Sequence, residues 1–178
     1  MRVIGLSGKI GSGKTTAALY LNKTYGFENL STRKLLADIL QANGLEVDRR
    51  HLQVLGSKLT DIIGGAGFVA LMLVYLPDKN YVIDSIRFPD AVDYLRRRLG
   101  NRYFHIHLMV SDEIRFDRLR KKDDFYGRTN LAEVESAETE RWSEKLRELA
   151  DYSLLNDADK TALLSHIDEI LRRVDVDH

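Results

Sequence analysis

The chain has 178 residues, 27 Lys plus Arg against 27 Asp plus Glu, and no cysteine. That length suits one domain with its own core, so a single domain over 1–178 with one active site is expected. The balanced charge excludes an overall field that would hold the chain on nucleic acid or an acidic membrane. The lack of cysteine excludes disulfides, thiolate metal sites and cysteine nucleophiles.

The opening Met1-Arg2-Val3-Ile4-Gly5-Leu6 turns at once into a glycine loop, which leaves no stretch for a signal peptide. No run reads as approaching the roughly 18 apolar residues of a membrane span. A cytoplasmic protein with no membrane or nucleic-acid partner is therefore expected.

Val3–Leu6 reads as a strand. It leads into Gly8-Lys9-Ile10-Gly11-Ser12-Gly13-Lys14-Thr15, which fits G-x-x-x-x-G-K-[ST] between a strand and a helix, the context that motif requires. Glycines without Cβ let backbone N–H groups curl around phosphate oxygens, and the helix start adds positive charge. Lys14 can reach the β- and γ-phosphates, and the Thr15 hydroxyl can ligate Mg²⁺. The expected cofactors are thus ATP and Mg²⁺, held by Gly8 through Thr16. The alternative is a glycine-rich turn that matches by accident.

Ala17, Ala18, Leu21 and Tyr25 share one face of the helix that follows, and Gly26 can end it. Phe27–Leu30 reads as the second strand. Helical stretches over Leu35–Leu40 and Leu52–Ile63, then a flexible Gly64-Gly65-Ala66-Gly67, form an excursion over about 31–76 that suits a substrate-gripping arm.

Tyr81–Ile83 reads as the third strand and ends at Asp84, where ligands of open α/β sheets bind. Asp84 can hold Mg²⁺ through water or accept a proton from a hydroxyl acceptor. Arg87 offers a planar fork for phosphate; the alternative is an ordinary ion pair between the two. Pro89 suits a first helical turn, with Val92, Leu95 and Leu99 inward and Arg96-Arg97-Arg98 on the solvated side.

His105 and His107 alternate with apolar residues in a fourth strand, Tyr103–Met109, and read as satisfied structural histidines. In the basic run from Arg115 to Lys122, the two lysines read as solvated surface. Arg118 and Arg120 suit either that role or stabilisation of a transferring phosphoryl group. Asp123-Asp124-Phe125-Tyr126-Gly127 interrupts the helical pattern, as a hinged lid over about 118–141 would, with Arg128 and Arg141 downstream. Tyr152–Leu155 is the fifth strand. Ala162, Leu163, His166, Ile167, Ile170, Leu171 and Val174 mark the inward face of a last helix. Strands alternating with amphipathic helices predict an α/β fold with a parallel sheet covered by helices.

Several of these pieces together resemble the P-loop nucleoside monophosphate kinase superfamily over nearly the whole chain. Ser31-Thr32 resembles the start of its acceptor-binding helix. Arg49 with Leu52-Gln53-Val54-Leu55-Gly56, and Asp84-Ser85-Ile86-Arg87-Phe88-Pro89, resemble phage-type deoxynucleoside monophosphate kinases. Ala150-Asp151-Tyr152 through Asn156-Asp157 is similar to dephospho-coenzyme A kinases and archaeal adenylate-kinase-related proteins.

The resemblance implies a three-layer P-loop kinase fold: a five-stranded parallel sheet with helices on both faces, a helical acceptor arm and a short lid. It also implies Lys14, Asp84, Arg87, Arg118, Arg120 and Arg141 as the catalytic set. Ser31, Arg33, Arg49, Gln53 and Arg87 are implied on the acceptor, and Asn156 and Asp157 beside the donor base. Two positions depart from the pattern: Ala37 and Thr60 stand where relatives carry arginine.

The expected activity is transfer of the γ-phosphoryl group of ATP to a small nucleotide acceptor, a ribo- or deoxynucleoside monophosphate, giving two diphosphates. One alternative is a hydroxyl acceptor such as dephospho-coenzyme A, with Asp84 as base. Another is a nucleotide-sensing module without efficient transfer, which Ala37 and Thr60 support.

Overall fold

The structure is a computed structural model that describes residues 1–74, 76–121 and 142–176, with the side chains of 49, 175 and 176 outside the description. Its centre is strand β1 (Val3–Ser7), every residue of which is buried. Strand β3 (Tyr81–Ile83) pairs parallel with it on one side, and β4 (Tyr103–Met109) on the other. The edges are β2 (Glu28–Leu30) beside β3 and β5 (Tyr152–Leu155) beside β4, giving the parallel order β2-β3-β1-β4-β5. In such a sheet all strand C-termini lie along one rim, so residues far apart in sequence are brought to the same edge.

Alternation along β1 divides the core in two. Ile4 and Leu6 pack with Ala17, Ala18 and Leu21 of α1 (Lys14–Tyr25) and with Leu163, Ile167 and Ile170 of α7 (Lys160–Val176). Val3 points the other way, into a cluster with Val69 and Met72 of α3 (Arg49–Leu73), Val92 and Leu95 of α4 (Pro89–Leu99) and Leu146 of α6 (Ser143–Glu148). A smaller cluster inside the arm joins Leu36 and Leu40 of α2 (Thr32–Ala42) to Leu52 and Phe68.

The expected strands are all present, with β1 running one residue further and β2 starting one later, because Phe27 turns into the core. Pro89 opens α4, and Gly26 ends α1 with φ 71°. On two helices the expected inward face is narrower. Tyr25 is 40% exposed and donates its hydroxyl to Asp168, which also accepts from Tyr20. His166 faces solvent. Among the three arginines of α4, Arg97 and Arg98 are exposed as expected. Arg96 is instead a brace, donating to the Leu149 carbonyl and the Asp151 carboxylate, both at 2.7 Å.

The glycine cluster at 64–67 lies within α3, whose two helical halves meet there at a kink: Gly64 leaves helical geometry, at φ 63° and ψ −174°. Asp90 Oδ2 accepts from the Ala66 N–H at 2.9 Å and recaps the second half of the helix. Gly65 lies flush on the next helix, where a Cβ would stand 2.5 Å from Phe88 Cβ.

Contrary to the sequence expectation, one helix, Arg50–Leu73, is long and apolar enough to cross a membrane by length and composition, with mean hydropathy 1.4. Some of its apolar residues pack on two surfaces, Leu52 and Phe68 in the arm's cluster with α2 and Val69 and Met72 in the cluster under the sheet, whereas Val54, Ile62 and Leu71 are exposed.

Candidate active site

The phosphate loop spans Gly8 to Gly13, between β1 and α1. Gly8, Gly11 and Gly13 take φ of 130°, 86° and 102°, values that a Cβ makes costly. Tertiary neighbours press on the same points: a Cβ on Gly8 would stand 2.2 Å from the Leu108 carbonyl oxygen, and one on Gly13 2.4 Å from Asn156 Nδ2. Lys14 folds back along the loop and donates to the carbonyls of Gly8 and Lys9 at 2.6 and 2.9 Å. Its ammonium is thereby held over the cradle. The buried Ser12 closes the loop by a 3.1 Å bond from its N–H to the Lys9 carbonyl.

A cleft of about 390 Å³ opens from this loop along the C-terminal rim of the sheet. Gly8, Ile10, Gly11, Gly13, Lys14, Thr15 and Thr16 form one wall. Ser31, Thr32 and Arg33 come from the start of α2, and Asp84 through Arg87 from the end of β3. Leu119 of α5 (Asp112–Lys121) and Ser143 and Leu146 of α6 complete it. The Ser31 hydroxyl also accepts from the Lys34 N–H at 3.4 Å as the cap of α2.

Asp84 is the single carboxylate among the described residues that line the cleft. Burial raises its carboxyl above the ordinary 3.8, opposed by a hydrogen bond from the Asn29 side chain and by the charges of Arg87 and Lys14. No motif in the sequence marks Asn29. Its place on β2, one residue before the strand's end and beside β3, was the available signal. Among the described ion pairs none joins Asp84 to Arg87; the exposed Arg87 makes a long 3.4 Å contact from Nε to Ser85 Oγ. Arg33, also exposed, lines the same cleft. Two arginines thus line the cleft together with the phosphate loop.

Other expected site residues lie elsewhere. Gln53 is exposed on α3 and does not line the cleft, nor do Arg118 and Arg120. Arg118 donates to the Ala158 carbonyl at 3.0 Å, tying α5 to the loop after β5. Asn156 and Asp157 both turn to protein partners, Asn156 to the Ser12 carbonyl at 2.8 Å and Asp157 to the Ser111 N–H at 2.7 Å. Thr60 Oγ1 bonds back to the Gly56 carbonyl at 2.8 Å, and Ala37 packs against the arm's own core. Arg49 opens α3, with its side chain outside the described residues. Arg128, Arg141 and the lid beyond Lys121 also fall outside them.

Beneath the loop, His105 and His107 share one partner. Ser7 Oγ stands 2.7 Å from His105 Nε2 and 2.8 Å from His107 Nδ1. The Leu149 carbonyl lies 3.4 Å from His105 Nδ1, which makes Nδ1 the protonated nitrogen and Nε2 the acceptor of the Ser7 proton. His107 then donates from Nδ1 to the same oxygen. Burial is the main cause that lowers both imidazoles to about 4, so both are neutral at pH 7. These are satisfied structural histidines, as the strand pattern predicts.

Comparison with known proteins agrees with this geometry. The model of the AAA domain family matches residues 4–143. No curated protein matches the chain. Among solved structures, TT1252 from Thermus thermophilus is 21% identical, with a TM-score of 0.63 over 99% of this chain and 97% of that one. Shikimate kinase from Acinetobacter baumannii, solved with shikimate, is 19% identical, with a TM-score of 0.58 over 97% and 94%. Dephospho-CoA kinase from Campylobacter jejuni is 14% identical, with a TM-score of 0.59 over 98% of each chain. At these identities the likeness speaks to the fold. With the family model covering most of its length, the chain belongs to the AAA domain family, built on the P-loop kinase fold.

Proposed function

We propose that the chain is a Mg²⁺- and ATP-dependent phosphotransferase whose acceptor is a nucleoside monophosphate. The observation that carries the reading is the lining of the cleft: a phosphate loop, the arginines Arg33 and Arg87, and Asp84 as the single carboxylate among the described lining residues. A monophosphate acceptor is already anionic and needs no general base, so one carboxylate suffices, leaving positioning and charge neutralisation as the protein's task.

The donor set fits both implied groups. Backbone N–H groups of a glycine loop suit a polyphosphate, and the Thr15 hydroxyl and Asp84 carboxylate, both on the cleft, are the hard oxygen ligands that Mg²⁺ prefers. When bound, Mg²⁺ supplies neutralisation of charge on the donor phosphates. Lys14 draws the β- and γ-phosphates onto the loop, while Arg33 and Arg87 orient the acceptor's phosphate. An acceptor oxygen then forms a bond to the γ-phosphorus as the bond to the β-phosphate oxygen breaks, and ADP leaves with that electron pair. With alanine at 37 and threonine at 60, Arg33, Lys34, Arg49 and Arg87 are the cations available to clamp the acceptor, and of these Arg33 and Arg87 line the cleft.

A second reading, a hydroxyl acceptor, is favoured by the raised carboxyl of Asp84, which moves it toward the range of a general base. Two proteins of the same fold are named for such acceptors, shikimate and dephospho-CoA.

The test is ADP formation from Mg·ATP with each ribo- and deoxynucleoside monophosphate, dephospho-CoA and shikimate in turn, against a Lys14→Ala control. Turnover dependent on a monophosphate and lost in the control supports the first reading. Turnover with a hydroxyl acceptor alone replaces it with the second. Tight ATP binding without stimulation by any acceptor points to a nucleotide sensor.

A further inference from the structure

Two features of the sheet each carry a cost, and they meet at one point. Gly5 lies buried in the middle of β1, paired with Ile83 and His105, and has none of the positive φ that calls for glycine in the phosphate loop. Glycine in a strand interior gives up side-chain packing and has more chain entropy to lose on folding. The Tyr103 hydroxyl is buried and, among the described residues, has no hydrogen-bond partner. Phenylalanine would fill the same apolar cluster without an unsatisfied group.

The two features fit each other. A Cβ on Gly5 would stand 2.5 Å from Tyr103 Oη and 3.0 Å from Tyr103 Cε2, so the tip of the phenol takes the place of a side chain on β1. The same point lies 3.0 Å from Ile86 Cγ1. Tyr103 itself pairs with Val3 at the start of β4, and its ring reaches along the sheet face to the back of Ile86. Ile86 is 3% exposed yet lines the cleft, between Asp84 and Arg87 in sequence. Its N–H donates to the Leu6 carbonyl at 2.7 Å. The segment carrying Asp84 and Arg87 is therefore held on β1 by a backbone hydrogen bond and by the Ile86 side chain beside the phenol tip. An unpartnered hydroxyl adds no hydrogen bond, so what separates Tyr103 from phenylalanine here is its length.

We propose that Tyr103 is a positioning residue for the acceptor side of the cleft: its phenol, admitted by Gly5, sets where Ile86 stands and, through it, Asp84 and Arg87. This rests on the reading of Arg87 as the contact of the acceptor's phosphate. The phosphate loop is shaped by its own glycines and by Asn156, so donor and acceptor sides respond separately.

The experiment uses the full chain as wild type, Tyr103→Phe, Gly5→Ala and the double variant Gly5→Ala/Tyr103→Phe. Acceptor kinetics are recorded at saturating Mg·ATP with the nucleoside monophosphate that wild type turns over fastest. Binding of Mg²⁺-free adenylyl imidodiphosphate is measured calorimetrically, and thermal unfolding is followed without ligand. Tyr103→Phe is expected to raise the acceptor KM roughly threefold to tenfold, because small displacements of positioning groups are felt at the reacting atoms. Its binding of the ATP analogue stays within about twofold and its unfolding midpoint is no lower than that of wild type, since the hydroxyl removed has no partner. Gly5→Ala drives a Cβ into the phenol tip and is expected to lower acceptor kcat/KM at least about tenfold. Removing the hydroxyl relieves the closest of those contacts, so the double variant should return to within about threefold of Tyr103→Phe.

A loss confined to the acceptor in Tyr103→Phe supports the proposal. Wild-type acceptor kinetics in that variant overturn it, as does a parallel loss of acceptor and analogue binding, which a merely structural role predicts. A folded double variant no better than Gly5→Ala overturns it as well; if Gly5→Ala does not fold, Tyr103→Phe decides alone. Wild type that turns over no nucleoside monophosphate refutes the functional reading and the proposal with it, a result distinct from an active wild type whose kinetics the substitutions leave unchanged.

Discussion

The side-chain amide of Asn156 donates to the Ser12 carbonyl at 2.8 Å, joining the loop after the last strand to the phosphate loop across 144 positions of sequence. Both residues are buried, at 4% and 1% exposure, and Asn156 is itself anchored by its N–H on the Met109 carbonyl at 2.8 Å. Asn156→Ala would leave the Ser12 carbonyl buried without that donor, at a cost of about 1–3 kcal/mol. A similar loss in binding corresponds to a KM for ATP raised roughly tenfold. Steady-state kinetics with ATP varied at saturating acceptor checks this, and an unchanged KM in a folded variant would rule out the clamp.

Asp84 links stability to pH with a definite sign. Its folded carboxyl binds a proton more tightly than the ordinary 3.8, so the favourable contribution is present below that value and is lost as pH rises to the raised one. Asp84→Asn removes the buried charge, and the variant is expected to unfold at a higher temperature than wild type at pH 7. The gap should close as pH falls toward the ordinary carboxylate value. Turnover, in contrast, should drop at least 100-fold and recover in part with added Mg²⁺ if the monophosphate reading holds. Paired thermal melts and Mg²⁺ titrations test the two halves separately.

The two histidines carry the opposite dependence. In the unfolded chain imidazoles take up protons as pH falls through about 6.5, whereas His105 and His107 stay neutral when folded until about 4. Stability should therefore be full above 6.5 and decline between 6.5 and 4. Denaturant midpoints measured from pH 7.5 to 4.5 should fall across that window. NMR of the imidazole nitrogens at pH 6 should report both rings neutral, with the Nδ1–H form at His105 and at His107; a charged ring would contradict the Ser7 network.

Gly64 sits at φ 63° and ψ −174°, a region open to glycine almost alone, and a Cβ there would stand 2.8 Å from Asp90 Oδ2, the cap of the following half-helix. Gly64→Ala should destabilise the fold by about 1–3 kcal/mol through the backbone, beyond any loss of the cap. Thermal unfolding should show a fall of several degrees. Because the arm is set by this kink and the phosphate loop is not, acceptor KM should rise while nucleotide binding to the loop stays within a factor of about two.

Much of the fold was legible because its signals are local. A five-strand parallel reading follows from short apolar runs separated by amphipathic stretches, and Pro89 and Gly26 act through their own backbone preferences. The errors arise where a partner from elsewhere decides. The glycines at 64–67 give no local sign of the helix that resumes after Gly64, because its cap, Asp90, comes from more than twenty positions away. The 96–98 arginines read as solvated, yet Arg96 finds Asp151 across the fold.

The phosphate loop is the part that the sequence determines by itself. Eight consecutive residues encode it, because glycine spacing sets which positions can take positive φ and Lys14 and Thr15 follow at once. Only the tertiary structure decides what surrounds it. The meeting of Asp84, Asn29, Arg33 and Arg87 at one rim depends on strand order, and the turning of Asn156 onto the loop depends on where β5 ends. The burial of Arg115 likewise depends on how α5 packs beneath Gly11. Such contacts join residues tens to more than a hundred positions apart, and no periodicity within a short window records long-range packing.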